Sequence, residues 1–214
     1  MKILLGTTNP SKANRFRKLL TGYDAEFLTL VDMGITDEPA ETGSTPAENA
    51  AIKAAFYGRY ADRVICSDSG LYFDSLPMDD PRQPGLHVRS PEGVRLGDEE
   101  MIAYYSTLIR SLGGRVTAYY ADGIAVFGKG AVTVFSDTRE KLLHSAFYMV
   151  DAPSEKRHPG WPLDSLSLRK DGMTYFTDPA PEDKNGEDDA VFIDEYRRNT
   201  VRFLVGALDL RKIL

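Results

Sequence analysis

Over residues 1–70, two helix starts are written out in cap chemistry, each set between short apolar runs, and this alternation constrains the fold more than any other feature of the chain. Lys2 to Thr7 carries Ile3, Leu4 and Leu5 in succession and reads as a short buried strand. Asn9-Pro10 follows as an N-cap and a proline at the first helical position. Ala13, Phe16, Leu19 and Leu20 then recur at helical spacing, and Gly22 supplies the stop. Ala25 to Leu30 predicts a second strand. Thr45-Pro46-Ala47-Glu48 has the form of a capping box, in which Thr45 accepts from a first-turn N–H while Glu48 reaches back to the cap. The alanine-rich run to about Ala61 suits a helix packed closely on a sheet. Arg63 to Ser67 predicts the next strand, with Asp68-Ser69-Gly70 as the turn at its end.

Beyond this point the pattern changes. Pro77 to Pro91 holds several prolines without periodicity and reads as a loop or lobe connection. From Asp98, the residues Met101, Tyr104, Tyr105, Leu108 and Leu112 form an amphipathic helix closed by Gly113-Gly114. Val116 to Phe127 and Ala131 to Phe135 flank Gly128-Lys129-Gly130 as a hairpin, and Leu142 to Val150 extends that sheet. A last helix over about Asp194 to Leu210 buries Val201, Leu204, Val205 and Leu208. Alternating strands and helices followed by an antiparallel centre predict an α/β fold, a mixed central sheet flanked by helices. The 214 residues, 42% hydrophobic, suffice for a single domain over residues 1–214, with room for a second lobe within about residues 75–160.

Charge and cysteine content narrow the function classes. A net charge of −6 argues against a surface built for nucleic-acid backbones. The amino-terminal apolar run is too short for a signal peptide, and no stretch approaches the ~20 residues of a membrane span. Cys66, the one cysteine, sits in the apolar run Val64-Ile65-Cys66 and reads as a buried small hydrophobe, so a soluble cytoplasmic protein is expected. His87, His144 and His158 have no ligand spacing, so no zinc site is expected. The acidic run Glu182 to Asp189 reads as a solvated loop.

Three places bear groups that can do chemistry. Thr7-Thr8-Asn9-Pro10-Ser11-Lys12 is a strand-to-helix turn that brings backbone N–H groups, an amide and an ammonium to one spot, which suits an anion; a plain cap beside a lysine is the alternative. There is no G-x-x-x-x-G-K-[ST] phosphate loop. In the second helix Asn49 and Lys53 share a face, with Glu41 just before its positive end; a solvated, well-capped helix explains them equally. Asp68 emerges after an apolar strand, where it can bind Mg²⁺ with Glu41 or take a proton from water, unless it belongs to an ordinary Asp-Ser-Gly turn.

Together, Thr7-x-Asn9-x-x-Lys12, then Glu41-Thr42-Gly43-x-Thr45-x-x-Glu48-Asn49-Ala50-x-x-Lys53-Ala54, then Ser67-Asp68-Ser69-Gly70-Leu71 resemble the inosine triphosphate pyrophosphatase family. The resemblance implies Mg²⁺-dependent hydrolysis of noncanonical purine nucleoside triphosphates, such as inosine and xanthosine triphosphates, to monophosphate and pyrophosphate. It implies an α/β fold similar to anticodon-binding domains, with two lobes and the nucleotide cleft between them, and a homodimer. It also implies roles: Asn9 and Lys12 hold the triphosphate and Lys53 a phosphate, Thr7 and Ser69 contact the substrate, Glu41 and Asp68 bind the metal, and Asp68 activates the water.

Further along, Pro84-Gly85 and Arg89 are similar to the family's Pro-Gly-x-x-x-Ala-Arg segment, one residue shorter. Gly160-Trp161-Pro162-Leu163-Asp164 stands in place of Gly-Phe-Gly-Tyr-Asp, Lys184-Asn185 resembles a Glu-Lys-Asn element, and Glu195-Tyr196-Arg197 replaces Ser-His-Arg. The implied substrate contacts are therefore Arg89, Trp161, Asp164, Lys184, Tyr196 and Arg197, with Trp161 offered to a base or to the core. The front departs at Arg15, where a glutamate is usual, at Pro46 and at Ser67, where an aspartate is usual. Phosphate and metal residues are mostly kept while base-reading residues change. Tyr196 and Arg197 still donate hydrogen bonds, whereas an ionised Glu195 only accepts, so an altered base preference is expected. The alternatives are a pyrophosphatase for pyrimidine or modified nucleotides, and a nucleotide-binding sensor with little turnover.

Overall fold

The structure, a computed structural model, describes residues 1–179 and 187–213, with side chains from residue 195 onward in the second stretch. The chain divides into two compact units, Met1–Ser69 with Asp122–Asp137 and Asp194–Leu214, and Gly70–Ala121 with Thr138–Ile193.

The first unit opens with β1 (Lys2–Leu5), α1 (Pro10–Leu19), β2 (Glu26–Thr29), α2 (Pro46–Tyr57) and β3 (Arg63–Phe73), of which it takes the part up to Ser69. β1 pairs in parallel with both β2 and β3. The distal part of β4 (Arg115–Gly128) follows β3 in the sheet and pairs antiparallel with β5 (Ala131–Ser136), so the sheet is mixed. Strand alternation sorts the apolar residues between two layers. Ile3, Leu5, Ile65, Ile124 and Val126 pack against Ala13, Phe16 and Leu20 of α1 and Leu204 and Leu208 of α5 (Glu187–Leu208). Leu4, Val64, Cys66 and Ala125 face the other way, onto Ala50, Ala54 and Tyr57 of α2.

The alanines of α2 bring its backbone close to the sheet, and Gly123 is where the two meet. A Cβ at Gly123 would collide with the backbone of Pro46 and Ala47 in the first turn of α2. Gly123→Ala is therefore expected to cost about 3 kcal/mol through overpacking, a fall of roughly 6–12 °C in Tm for a chain of this size. A thermal melt of the variant measures it, and an unchanged Tm would contradict the contact.

Cys66 is fully buried in the α2 layer, and that burial pushes its thiol up to about 12. In native protein at about pH 8 it is expected to react with thiol reagents only as fast as the structure opens, and to label rapidly in denaturant. Fast labelling of the native protein would contradict this packing.

In the second unit, the proximal part of β4 pairs antiparallel with β6 (Phe147–Val150), and β6 with β7 (Ser167–Leu168). Met101, Ile102, Tyr105 and Ile109 of α3 (Asp98–Ser111) pack with Leu71, Phe73, Val116, Ala118 and Met149.

Several sequence expectations need correction. Asp68-Ser69-Gly70 is no turn: β3 continues to Phe73, because Leu71, Tyr72 and Phe73 are buried and hold the chain extended. Gly70 is required by close approach, since a Cβ there would lie 2.9 Å from the Gly85 carbonyl oxygen. Leu142 belongs to a short helix, α4 (Arg139–His144), where it packs with Tyr72 and Tyr119, and only residues from Phe147 extend the sheet. α2 stops at Tyr57, short of Ala61. α5 starts earlier than expected, and its buried line runs Thr200, Leu204, Leu208. Val201 and Val205 sit one residue, about 100° of helix, off that line and are only half-buried. Among the described residues, no helix is long and apolar enough to cross a membrane.

Candidate functional site

The turn between β1 and α1 is held by its own side chains. Thr7 Oγ1 accepts from the Asn9 N–H at 3.1 Å, and Asn9 Oδ1 accepts from the N–H groups of Ser11 and Lys12 at 2.9 and 3.3 Å. Asn9 is thus the N-cap of α1, with Pro10 after it. This modifies the expectation of free backbone donors, since the Ser11 and Lys12 N–H groups are already satisfied. What Asn9 and Lys12 offer a ligand is side-chain amide hydrogen and ammonium.

The start of α2 is more heavily capped. Thr45 Oγ1 accepts from Glu48 N at 3.2 Å, while Glu48 Oε2 takes the Ser44 N–H at 2.6 Å, one residue before the cap itself. Asn49 Oδ1 takes the Gly43 N–H at 2.8 Å, tying the Glu41-Thr42-Gly43 segment to the helix. The other end of that amide, Nδ2, donates to Asp68 Oδ2 at 3.2 Å. Lys53, one turn on, donates to Asp68 Oδ1 at 3.2 Å and pairs with Glu41 Oε1 at 3.2 Å. Lys12 approaches the same Asp68 oxygen to 3.9 Å. The spacing of Asn49 and Lys53 therefore does what the sequence suggested, with Asp68 as the common target.

These groups line one cavity of about 230 Å³, together with Thr7, Glu38, Tyr57 and Ser67. Its volume falls below the range of about 300–1,000 Å³ usual for whole drug-sized ligands. Its wall is polar and carries both signs of charge. Burial, opposed by Asp68 and reinforced by Lys53, lowers the Lys12 pKa from its ordinary value. A charged lysine held out of water here gains most from an anionic partner.

Glu41 and Asp68 are hard oxygen donors bridged by the Lys53 ammonium. Among the described residues no group of three His, Cys, Asp or Glu is arranged for a metal. Two carboxylates nevertheless fit Mg²⁺, which takes one or two from protein and completes its shell with water and substrate phosphates.

In the second unit, Arg89 pairs with Asp98 at 2.8 Å, Asp98 Oδ2 accepts the Gly160 N–H at 3.1 Å, and His158 Nδ1 lies 2.9 Å from Asp164 Oδ2. Hydrogen bonding to Arg89 and Gly160 holds Asp98 below its ordinary carboxylate pKa. Trp161 is 56% exposed and so is not core. Ser69 is half-buried beside Asp68, and Lys184 lies outside the described residues.

Tyr196 belongs to an internal network in the first unit. Arg15 donates to Asp122 Oδ2 at 2.7 Å and to the Tyr196 hydroxyl at 2.5 Å, and that hydroxyl donates to Asp122 at 3.1 Å. Burial, then Asp122, raises the Tyr196 pKa. Arg197 is exposed on a shallow groove with Lys18. Sequence reading missed Asp122, although a carboxylate inside the apolar strand Ala121 to Val126 is itself a signal, and it marked Arg15 only as a departure. Arg15→Ala removes the guanidinium that donates to both Asp122 and the Tyr196 hydroxyl, and is expected to cost roughly 2 kcal/mol, a Tm lower by about 4–8 °C in a thermal melt. Full stability would remove the network from the account.

A model of the Ham1 family matches residues 3–143. A dITP/XTP pyrophosphatase of Geobacillus kaustophilus is 31% identical over 189 residues, 86% of each chain, and that of Bacillus subtilis is 27% identical over 186 residues, 85% of this chain and 87% of the other. The chain spans only 42% of the length of the dITP/XTP pyrophosphatase of Thermoanaerobacter pseudethanolicus, at 39% identity over 88 residues. In fold it resembles the Staphylococcus aureus Ham1 protein, with a TM-score of 0.67 and 21% identity over 94% of this chain and 98% of the other. It also resembles a Coxiella burnetii HAM1 protein, with a TM-score of 0.69 and 20% identity over 94% and 99%. A match that runs from β1 through the Thr7–Lys12 turn, the Glu41–Lys53 block and Asp68 into the centre of the chain makes this protein a member of the Ham1 family.

Proposed function

We propose that this protein hydrolyses noncanonical purine nucleoside triphosphates, of the inosine and xanthosine type and their deoxy forms, to monophosphate and pyrophosphate with Mg²⁺. The observation that carries this reading is the convergence of Lys12 and Lys53 on Asp68, with Glu41 on the far side of Lys53, in one polar cavity. The activity named for the Geobacillus kaustophilus and Bacillus subtilis relatives supports it.

In this reading Lys12, Lys53 and the Asn9 amide hold the triphosphate. Asp68, its Oδ2 fixed by Asn49, orients a water and takes its proton as the water oxygen bonds to the α-phosphorus. The bond from that phosphorus to the bridging oxygen breaks, and the electron pair leaves with pyrophosphate. The two ammonium groups neutralise the charge that builds on the departing oxygens. Glu41 and Asp68 would hold Mg²⁺, which when bound supplies further neutralisation of phosphate charge.

Arg89, Trp161, Asp164, Lys184, Tyr196 and Arg197 are read as further substrate contacts. Glu195 accepts from Asn199 at 3.5 Å, and Tyr196 is engaged with Arg15 and Asp122. Those engagements support an altered base preference. The same reading makes the protein a cytoplasmic homodimer.

Product analysis with Mg²⁺ across standard, deaminated and pyrimidine triphosphates tests it. Monophosphate and pyrophosphate from inosine or xanthosine triphosphate is the expected result. Turnover confined to pyrimidine nucleotides would assign a different pyrophosphatase, and nucleotide-dependent stabilisation without pyrophosphate release would assign a sensor.

A further inference from the structure

Ser67 is 3% exposed, its hydroxyl has no hydrogen-bond partner among the described residues, and the residue helps line the cavity that holds Lys12, Lys53 and Asp68. A buried hydroxyl without a partner is uncommon in a folded protein and calls for an explanation. The strand register says which side of the cavity it serves. Cys66 packs in the α2 layer, and Asp68 meets Asn49 and Lys53 of α2. Ile65 faces the opposite layer, against Ala13 and Phe16 of α1. By the two-residue repeat of a strand, Ser67 shares the Ile65 face and comes to the cavity on the α1 side, where the Thr7–Lys12 turn lies.

The chemistry at that point favours a donor. The cavity wall already carries the carboxylates of Glu38, Glu41 and Asp68 against two lysines. The motif resembled by Ser67-Asp68-Ser69-Gly70 usually has an aspartate where Ser67 stands. An aspartate there would only accept, whereas a hydroxyl can donate to an anionic oxygen. We propose that Ser67 is a substrate-binding residue whose Oγ–H donates to a phosphate oxygen of the triphosphate on the α1 side of the cavity. This rests on reading the cavity as a triphosphate site.

The test is calorimetric titration of the full chain with inorganic tripolyphosphate, with and without Mg²⁺, alongside Mn²⁺ binding in the absence of phosphate. Ser67→Ala is expected to weaken tripolyphosphate binding about tenfold, within the range for a hydrogen bond to a charged group, and to leave Mn²⁺ affinity unchanged. Ser67→Cys, close in size but a poor donor, should behave like Ser67→Ala, and it keeps the test standing if the alanine variant does not fold. Ser67→Asp should weaken binding further without Mg²⁺. Lys53→Met separates the two levels of the reading. If wild type fails to bind, or Lys53→Met binds as well as wild type, the triphosphate reading falls and Ser67 with it. If Lys53→Met is weak and Ser67→Ala is not, only the Ser67 assignment is overturned. Loss of Mn²⁺ but not phosphate binding in Ser67→Ala would make the hydroxyl a cation ligand and overturn it too.

Discussion

Asp68→Asn is expected to fold, to bind the triphosphate, and to lose roughly 10²- to 10⁴-fold in turnover. The amide keeps the size of the carboxylate, so its place beside Asn49 in the middle of β3 can be kept. What disappears is the acceptor proposed for the water's proton and one negative charge next to Lys12 and Lys53. Removing that charge makes the cavity more positive, so affinity for tripolyphosphate should hold or rise while kcat falls. This opposition between binding and rate distinguishes a lost base from a damaged fold, which would lower both. Steady-state rates with an inosine or xanthosine triphosphate, paired with calorimetric titration, read it out. Full activity in the variant would remove Asp68 from the role of base.

Lys53→Met is expected to lower kcat/KM by roughly 10²- to 10³-fold, the usual loss when a donor aimed at developing charge is removed. The Lys53 side chain is 12% exposed and its ammonium lies 3.2 Å from both Glu41 and Asp68. Without it, two carboxylates remain with one cation fewer between them. Divalent-cation affinity in the absence of nucleotide should therefore rise while triphosphate affinity falls. Lys53→Arg should rescue little, because a planar guanidinium fork does not reproduce the compact point charge of an ammonium shared by two acids. If the methionine variant kept both its rate and its cation affinity, Lys53 would be a helix residue with no part in the chemistry.

Much of the front half was legible because its determinants are close in sequence. The Asn9 cap reaches two and three residues ahead, and the Thr45 cap reaches three. Such contacts form within one turn of chain and leave a direct trace in residue order. The alternation of Ile3, Leu4 and Leu5 between two layers follows from strand geometry alone. Asn49 and Lys53 were readable as one helix face for the same reason. Asp68 was readable as a candidate, but its setting was misread. A serine, an aspartate and a glycine in a row suggest a turn, and the burial of Leu71, Tyr72 and Phe73 overrode that local preference.

The sites of unequal legibility differ in how far apart their partners lie. Arg15 meets Asp122 across 107 residues and Tyr196 across 181. No periodicity or cap rule links such positions, and only the packing of α1 and α5 on one face of the sheet brings them together. Taken alone, the sequence determined the strand and helix starts over residues 1–70 and the amide, ammonium and carboxylate residue types set beside them, because these depend on contacts a few residues long. Tertiary structure alone decided that Lys12, Lys53, Glu41 and Asp68 share one cavity, that Ser67 lines it while its hydroxyl finds no partner among the described residues, and that Tyr196 is tied to Arg15 and Asp122. The reason is that side-chain meeting points between distant segments are set by how whole layers pack, and the close packing of a protein interior fixes them only when every layer is in place.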